Sequence, residues 1–146
     1  MLAMSYGNVY VARVAMGAND TQTVKAIMEA ERYNGPSIII AYSHCIAHGY
    51  DLRNGLSQQK LAVRSGYWPI FRYNPDLIES EQNPFSLDCD RPTVPLKDYM
   101  YNETRFKMLT KTRPERAKQL LKLAEEHTAS VWEKYENLAV KKQAEK

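Results

Sequence analysis

Between Asn8 and Val14, β-branched and aromatic side chains alternate with small or polar ones, and Gly17 closes the run, a pattern that predicts a β-strand. Asn19, Asp20 and Thr21 are helix-capping types. The apolar positions Val24, Ile27 and Met28 behind them have helical spacing, so a helix is expected up to Tyr33, where Gly35-Pro36 stops it. Ser37 to Tyr42 contains the continuous apolar run Ile38-Ile39-Ile40, the kind of strand that a parallel sheet covers on both faces. Strand, helix and strand in quick succession make a βαβ unit, with the right-handed crossover such units take.

Ser43-His44-Cys45-Ile46-Ala47-His48-Gly49 then forms a loop at the carboxyl end of the second strand, where open α/β sheets place their ligands. A short helix is expected from Ser57 to Ser65, ended by Gly66, and a third strand from Trp68 to Tyr73, cut off by Asn74-Pro75. From Asn74 to Lys97 the chain is rich in Pro, Asp, Asn and Ser, with Phe85 and Leu87 as isolated anchors. An irregular arm with one short strand fits that composition. Thr112 to Glu115 has the form of a capping box with Pro114 in the first turn. The helix it opens carries Ala117, Leu120, Leu121, Ala124, Thr128, Val131, Tyr135 and Leu138 as one apolar stripe. Such a stripe packs on its own domain or docks on another chain.

The fold class that follows is α/β: a partial parallel sheet with a βαβ core, an irregular arm and a long C-terminal helix. Three segments are expected, an α/β part over 1–97, a helical extension over 98–140 and a basic tail over 141–146.

Composition adds bounds. With 146 residues, 44% hydrophobic and 25% charged, the chain is long enough to bury a core without metals or disulfides. The net charge of +3 owes much to Lys141, Lys142 and Lys146, and no basic stripe interleaved with aromatics marks a nucleic-acid surface. No stretch reaches the roughly 20 apolar residues of a membrane span, and no signal-peptide pattern opens the chain, so a cytoplasmic protein is expected. There its two cysteines, Cys45 and Cys89, stay reduced.

Several strings point to a family. Tyr6-Gly7-Asn8-Val9-Tyr10-Val11-Ala12, Val14-Ala15-Met16-Gly17-Ala18, and Gly35-Pro36-Ser37-Ile38-Ile39-Ile40-Ala41-Tyr42 with Cys45-Ile46 and His48-Gly49 resemble the last part of the thiamine-diphosphate domain of pyruvate:ferredoxin (flavodoxin) oxidoreductases. Lys60-Leu61-Ala62-Val63, Ser65-Gly66-Tyr67-Trp68-Pro69, Arg72-Tyr73-Asn74-Pro75, Asn83-Pro84-Phe85 and Leu87-Asp88 continue the likeness in order and spacing. The final helix, with Trp132 and Tyr135, is similar to the family's C-terminal helix.

The resemblance implies an enzyme that oxidatively decarboxylates pyruvate, joins the acetyl group to coenzyme A and passes electrons through 4Fe-4S clusters to ferredoxin or flavodoxin. It implies that Cys45 is one ligand of the 4Fe-4S cluster nearest the thiamine. The other three ligands then come from the remainder of the oxidoreductase, and the parent enzyme is expected to be a homodimer. The family's Gly-Asp-Gly and Asn-Thr-Gly-Gly-Gln segments, which hold magnesium and thiamine diphosphate, do not occur here. Met1 to Met4 match the interior of the family's domain. The chain is therefore expected to begin mid-domain, to lack sheet neighbours and to be inactive alone, with no catalytic residue of its own. The alternative is a non-catalytic association module that pairs through the C-terminal helix.

Other readings of the same residues stay open. On its own residues Cys45 is read as a buried free cysteine before it is read as a nucleophile with His44 or His48 as its base. Cys89, between Asp88 and Asp90, is expected to be exposed, with acidic neighbours that disfavour its thiolate. Tyr67-Trp68-Pro69 is read as core before it is read as a stacking platform, and His127 as a surface residue off the stripe. Arg53, Lys60, Arg64 and Arg72 form either a solvated face or a docking patch for an acidic partner.

Overall fold

A computed structural model of the chain describes residues 1–140; the basic tail expected over 141–146 lies outside the described residues. The first strand, β1 (Tyr10–Val14), leads into helix α1 (Asp20–Arg32), whose first turn is capped by the Asn19 side chain accepting from the Gln22 N–H. Strand β2 (Ser37–Ala41) returns parallel to β1, with Tyr10 opposite Ser37 and Val14 opposite Ala41. After the Cys45 loop come α2 (Gly55–Arg64) and β3 (Phe71–Tyr73), then α3 (Asp76–Glu79) and β4 (Phe85–Leu87). Helices α4 (Leu96–Met100), α5 (Thr104–Thr112) and α6 (Pro114–Val140) follow.

The sheet order is β2-β1-β3-β4, and β3 is antiparallel to both of its neighbours. One parallel pair therefore carries the βαβ core, and the other strands widen it in mixed fashion. The strand expected from Trp68 begins only at Phe71. Trp68 instead turns its indole N–H to the Val14 carbonyl at 3.1 Å, and Pro69 has no N–H to give a ladder.

Alternation along β1 builds two cores. Val9 and Val11 face α6, where Phe71, Phe85 and Tyr135 gather with ring centroids 5.1 to 5.9 Å apart. Tyr10, Ala12 and Val14 face α1 and pack on Ala26, Ala30 and Tyr33. The stripe on α6 is thus turned onto its own sheet: Ala117 and Tyr135 are buried and Leu121, Ala124, Thr128, Val131 and Leu138 half-buried, while Leu120 stays exposed. His127 is exposed, as expected from its place off the stripe.

One expectation fails at a helix start. The Thr112 hydroxyl donates back to the Met108 carbonyl at 3.1 Å, inside the last turn of α5, so the capping box at Thr112 to Glu115 does not form. Helix α1 does not bury the apolar positions that identify it: Val24, Ile27 and Met28 are exposed, while Gln22, Thr23 and Ala26 face inward.

The largest departure lies in β2. Ile38, Ile39 and Ile40 were expected to be covered on both faces, yet they are 43%, 36% and 44% exposed. The reason is topological. Strand β2 ends the sheet, so one edge of its backbone and both flanks of the isoleucine run face outward. The unpaired edge that the sequence led us to expect lies, among the described residues, on β2.

Candidate functional site

The Tyr42 N–H donates to the Val14 carbonyl at 3.0 Å and extends the β1–β2 ladder by one step. The chain then leaves the sheet. Cys45 is extended (φ −140°, ψ 140°) and stands at the start of a single 3₁₀ turn, Ile46–His48. That turn is closed by the His48 N–H to the Cys45 carbonyl and the Gly49 N–H to the Ile46 carbonyl, each at 3.0 Å. Gly49 ends it with φ +74°, a left-handed backbone that favours glycine. The Cys45 thiol is exposed. The reading of Cys45 as a buried apolar residue therefore fails, because the loop leaves the sheet before it reaches any core.

Beneath the loop lies a buried carboxylate that the sequence did not single out. Glu103 has no exposed surface. Its Oε1 accepts from the Gln58 amide at 3.0 Å and the Tyr42 hydroxyl at 3.4 Å. Its Oε2 accepts from Arg105 Nε and faces His48 Nδ1 at 3.9 Å. The Tyr42 and Tyr99 hydroxyls are 2.9 Å apart. Burial pushes the Tyr42 phenol up to about 12 and raises that of Tyr99 as well, so both are neutral near neutral pH. Burial also raises the Tyr50 phenol, with Glu103 adding to it. No local pattern could have shown this cluster, since its members come from four separate segments.

The two histidines are held apart from the thiol. His44 Nδ1 meets the Gln59 side-chain amide at 3.1 Å, and its ring packs so closely on Gly55 that a β-carbon there would come within 2.9 Å. His48 turns toward Glu103. Among the described residues neither imidazole makes a hydrogen bond to the Cys45 thiol, so the nucleophile-and-base arrangement does not form.

Cys89 departs from expectation. It is half-buried rather than exposed, its Sγ accepting from the Ile70 N–H at 3.4 Å. Burial, with Asp88 and Asp90 adding to it, pushes the thiol up to about 11. It is a core thiol. Arg72 leaves the docking patch for a similar reason: its side chain is 13% exposed and bridges Asp88 and Glu29 across the α1 face of the sheet. Arg53 is exposed and paired with Asp51, and Arg64 donates to the Thr93 hydroxyl at 3.3 Å. Trp68 stacks under the Arg13 guanidinium, 3.7 Å from its ring centroid, as a wall of the core.

Among the described residues no three His, Cys, Asp or Glu side chains converge as a metal site. An exposed thiol at the tip of a loop fits a different role, one ligand in a set completed from elsewhere, since iron-sulfur clusters take cysteine thiolates from several segments. No helix of the described residues is long and apolar enough to cross a membrane.

The comparisons agree in one direction. Over 139 residues, 95% of its length, the chain is 56% identical to a pyruvate-flavodoxin oxidoreductase of Nostoc sp. and 48% identical to the pyruvate:ferredoxin oxidoreductase of Moorella thermoacetica. It is 42% identical over 149 aligned positions, 94% of its length, to a pyruvate dehydrogenase [NADP(+)] of Cryptosporidium parvum. The chain spans about 12% of the length of the first two relatives and 8% of the third. No family model matches it.

Proposed function

Because the chain belongs to the pyruvate-flavodoxin and pyruvate:ferredoxin oxidoreductase family, as a segment matching about 12% of its relatives' length, we propose that it forms the C-terminal part of the thiamine-diphosphate domain of such an enzyme. The parent would convert pyruvate and coenzyme A to acetyl-CoA, with release of carbon dioxide, a proton and two electrons, in the cytoplasm, as a homodimer. Clusters of the 4Fe-4S type, when bound, supply the one-electron carriers that lead to ferredoxin or flavodoxin.

In this reading residues 1–97 belong to the thiamine-diphosphate domain and 98–140 form its helical extension. Cys45 serves as one cluster ligand, and the remainder of the oxidoreductase supplies the other three together with thiamine diphosphate and magnesium. The observation that supports the reading is the exposed Cys45 thiol at the carboxyl end of β2, a strand whose outer edge is unpaired among the described residues. A strand of the remainder laid along β2 would cover the isoleucine run and bring its own residues to the same end of the sheet. The association-module reading is the weaker one, since α6 turns most of its stripe onto its own sheet.

The test is anaerobic reconstitution with iron and sulfide of the chain, of the upstream portion of the enzyme, and of the two together, read by EPR and pyruvate-dependent dye reduction. The expected result is turnover only in the mixture, abolished by Cys45→Ala. A folded chain that neither assembles with the upstream portion nor alters its cluster would overturn the proposal.

A further inference from the structure

We propose that Glu103 is the positioning residue for the Cys45 thiol, a buried carboxylate that clamps both ends of the Cys45 loop. Tyr42, three residues before Cys45, donates to this carboxylate, and His48, three residues after Cys45, faces it at 3.9 Å without a hydrogen bond. Thr104, next to Glu103 in the chain, binds the Gly49 carbonyl through its backbone N–H. Cys45 makes no side-chain cap bond of its own. The place of its sulfur is therefore set through the backbone, and the backbone is tied down at these two ends.

The clamp is itself fixed from behind. The Gln58 amide, buried on α2, donates both to Glu103 and to the Tyr99 carbonyl at 3.0 Å, and Asn102 donates to Gln58 Oε1 at 3.3 Å. The Tyr42 ring stands edge-on to Trp68, with centroids 5.3 Å apart, which limits where its hydroxyl can point. A carboxylate shut away from water is stable only while its donors stay in place. The loop cannot swing out at the Tyr42 end without stripping Glu103 of a partner. A cluster ligand needs this support, because a ligand misplaced by a fraction of an ångström weakens the whole set.

The link to a cluster rests on the reading proposed above; the clamp on the loop does not. The experiment separates them by following amide hydrogen exchange at His48 and Gly49 in the full chain, then the EPR signature of the cluster formed with the upstream portion. In Glu103→Gln, which keeps the shape and removes the charge, exchange at these two amides should rise about tenfold, the scale of one lost charge-assisted hydrogen bond. Exchange along β1 should stay unchanged, and the g values of the reduced cluster should shift. Equal acceleration in β1 and the loop, or none in either, overturns the clamp. Unaltered g values with a loosened loop overturn its role toward the thiol. If Glu103→Gln does not fold, Tyr42→Phe and His48→Asn sever the two arms singly and are judged by the same comparison. Should the wild-type chain form no cluster with the upstream portion, the ligand reading falls, and the exchange data alone decide the clamp.

Discussion

The Gly49 carbonyl accepts two hydrogen bonds from Thr104, one from its backbone N–H at 3.1 Å and one from its hydroxyl at 2.5 Å. This joint fastens the end of the Cys45 loop to the start of α5, and it needs glycine twice over. The backbone of Gly49 is left-handed, and a β-carbon there would lie 2.6 Å from Thr104 Cβ. Gly49→Ala should lower stability by about 1–3 kcal/mol, the usual range for strain at such a position. The midpoint of urea unfolding is the measurement.

The bridge made by Arg72 should matter far more than the exposed pair of Arg53 and Asp51. Arg72 donates to Asp88 at 2.8 Å and to Glu29 at 2.6 Å, and its removal leaves two half-buried carboxylates without their shared cation. Arg72→Met should cost about 3 kcal/mol. Arg53→Ala should leave the unfolding midpoint where it was, because water and salt screen an exposed pair.

The two thiols should differ in reactivity. Iodoacetamide is expected to label Cys45 in the native chain and Cys89 only on unfolding, as mass spectrometry of the labelled peptides would show. Cys45→Ala should change stability by less than about 0.5 kcal/mol, since an exposed side chain with no hydrogen bond is removed. A large loss of stability would mean that the thiol is part of the fold.

Alkaline pH should weaken the fold in part through Cys89. Its thiol titrates near 9.0 when free and about 11 when folded, so the folded state holds its proton more tightly than the unfolded state. The stabilisation is fully present below pH 9 and is lost as pH rises to 11. Linkage puts the loss at roughly 2 kcal/mol. Cys89→Ala should flatten the fall in unfolding free energy between pH 9 and 11, measured against wild type at each pH. The Tyr42 phenol, pushed up to about 12, acts in the same sense at higher pH and remains in both proteins.

The open edge of β2 should make the isolated chain self-associate. Ile39→Lys places a charge on that edge, where it can reach water. Light scattering should show less association, with the melting temperature nearly unchanged. The same variant should fail to join the upstream portion of the enzyme. Unimpaired assembly would show that this edge is not where the remainder docks.

The sequence by itself determined the elements whose signals are local. Asn19 caps α1, Gly35-Pro36 ends the connection before β2, and the spacing from Ala117 to Leu138 identifies α6 and the face it buries, because caps, breakers and periodicity act within a few residues. The strings around Gly17, Ile38 to Tyr42 and Cys45 were enough to indicate the family.

What covers an element, and what pairs with a charge, only the tertiary structure decided. A run of three isoleucines reads the same in a central strand and at an open edge; the difference is whether a further strand lies beside it. Arg72 looked like a surface cation until the fold brought it to Glu29, 43 residues away. Glu103 carried no signal at all, since its contact with Tyr42 spans 61 residues. Burial and ion pairing join positions distant in the chain, and the physics that fixes them acts only once the chain has folded.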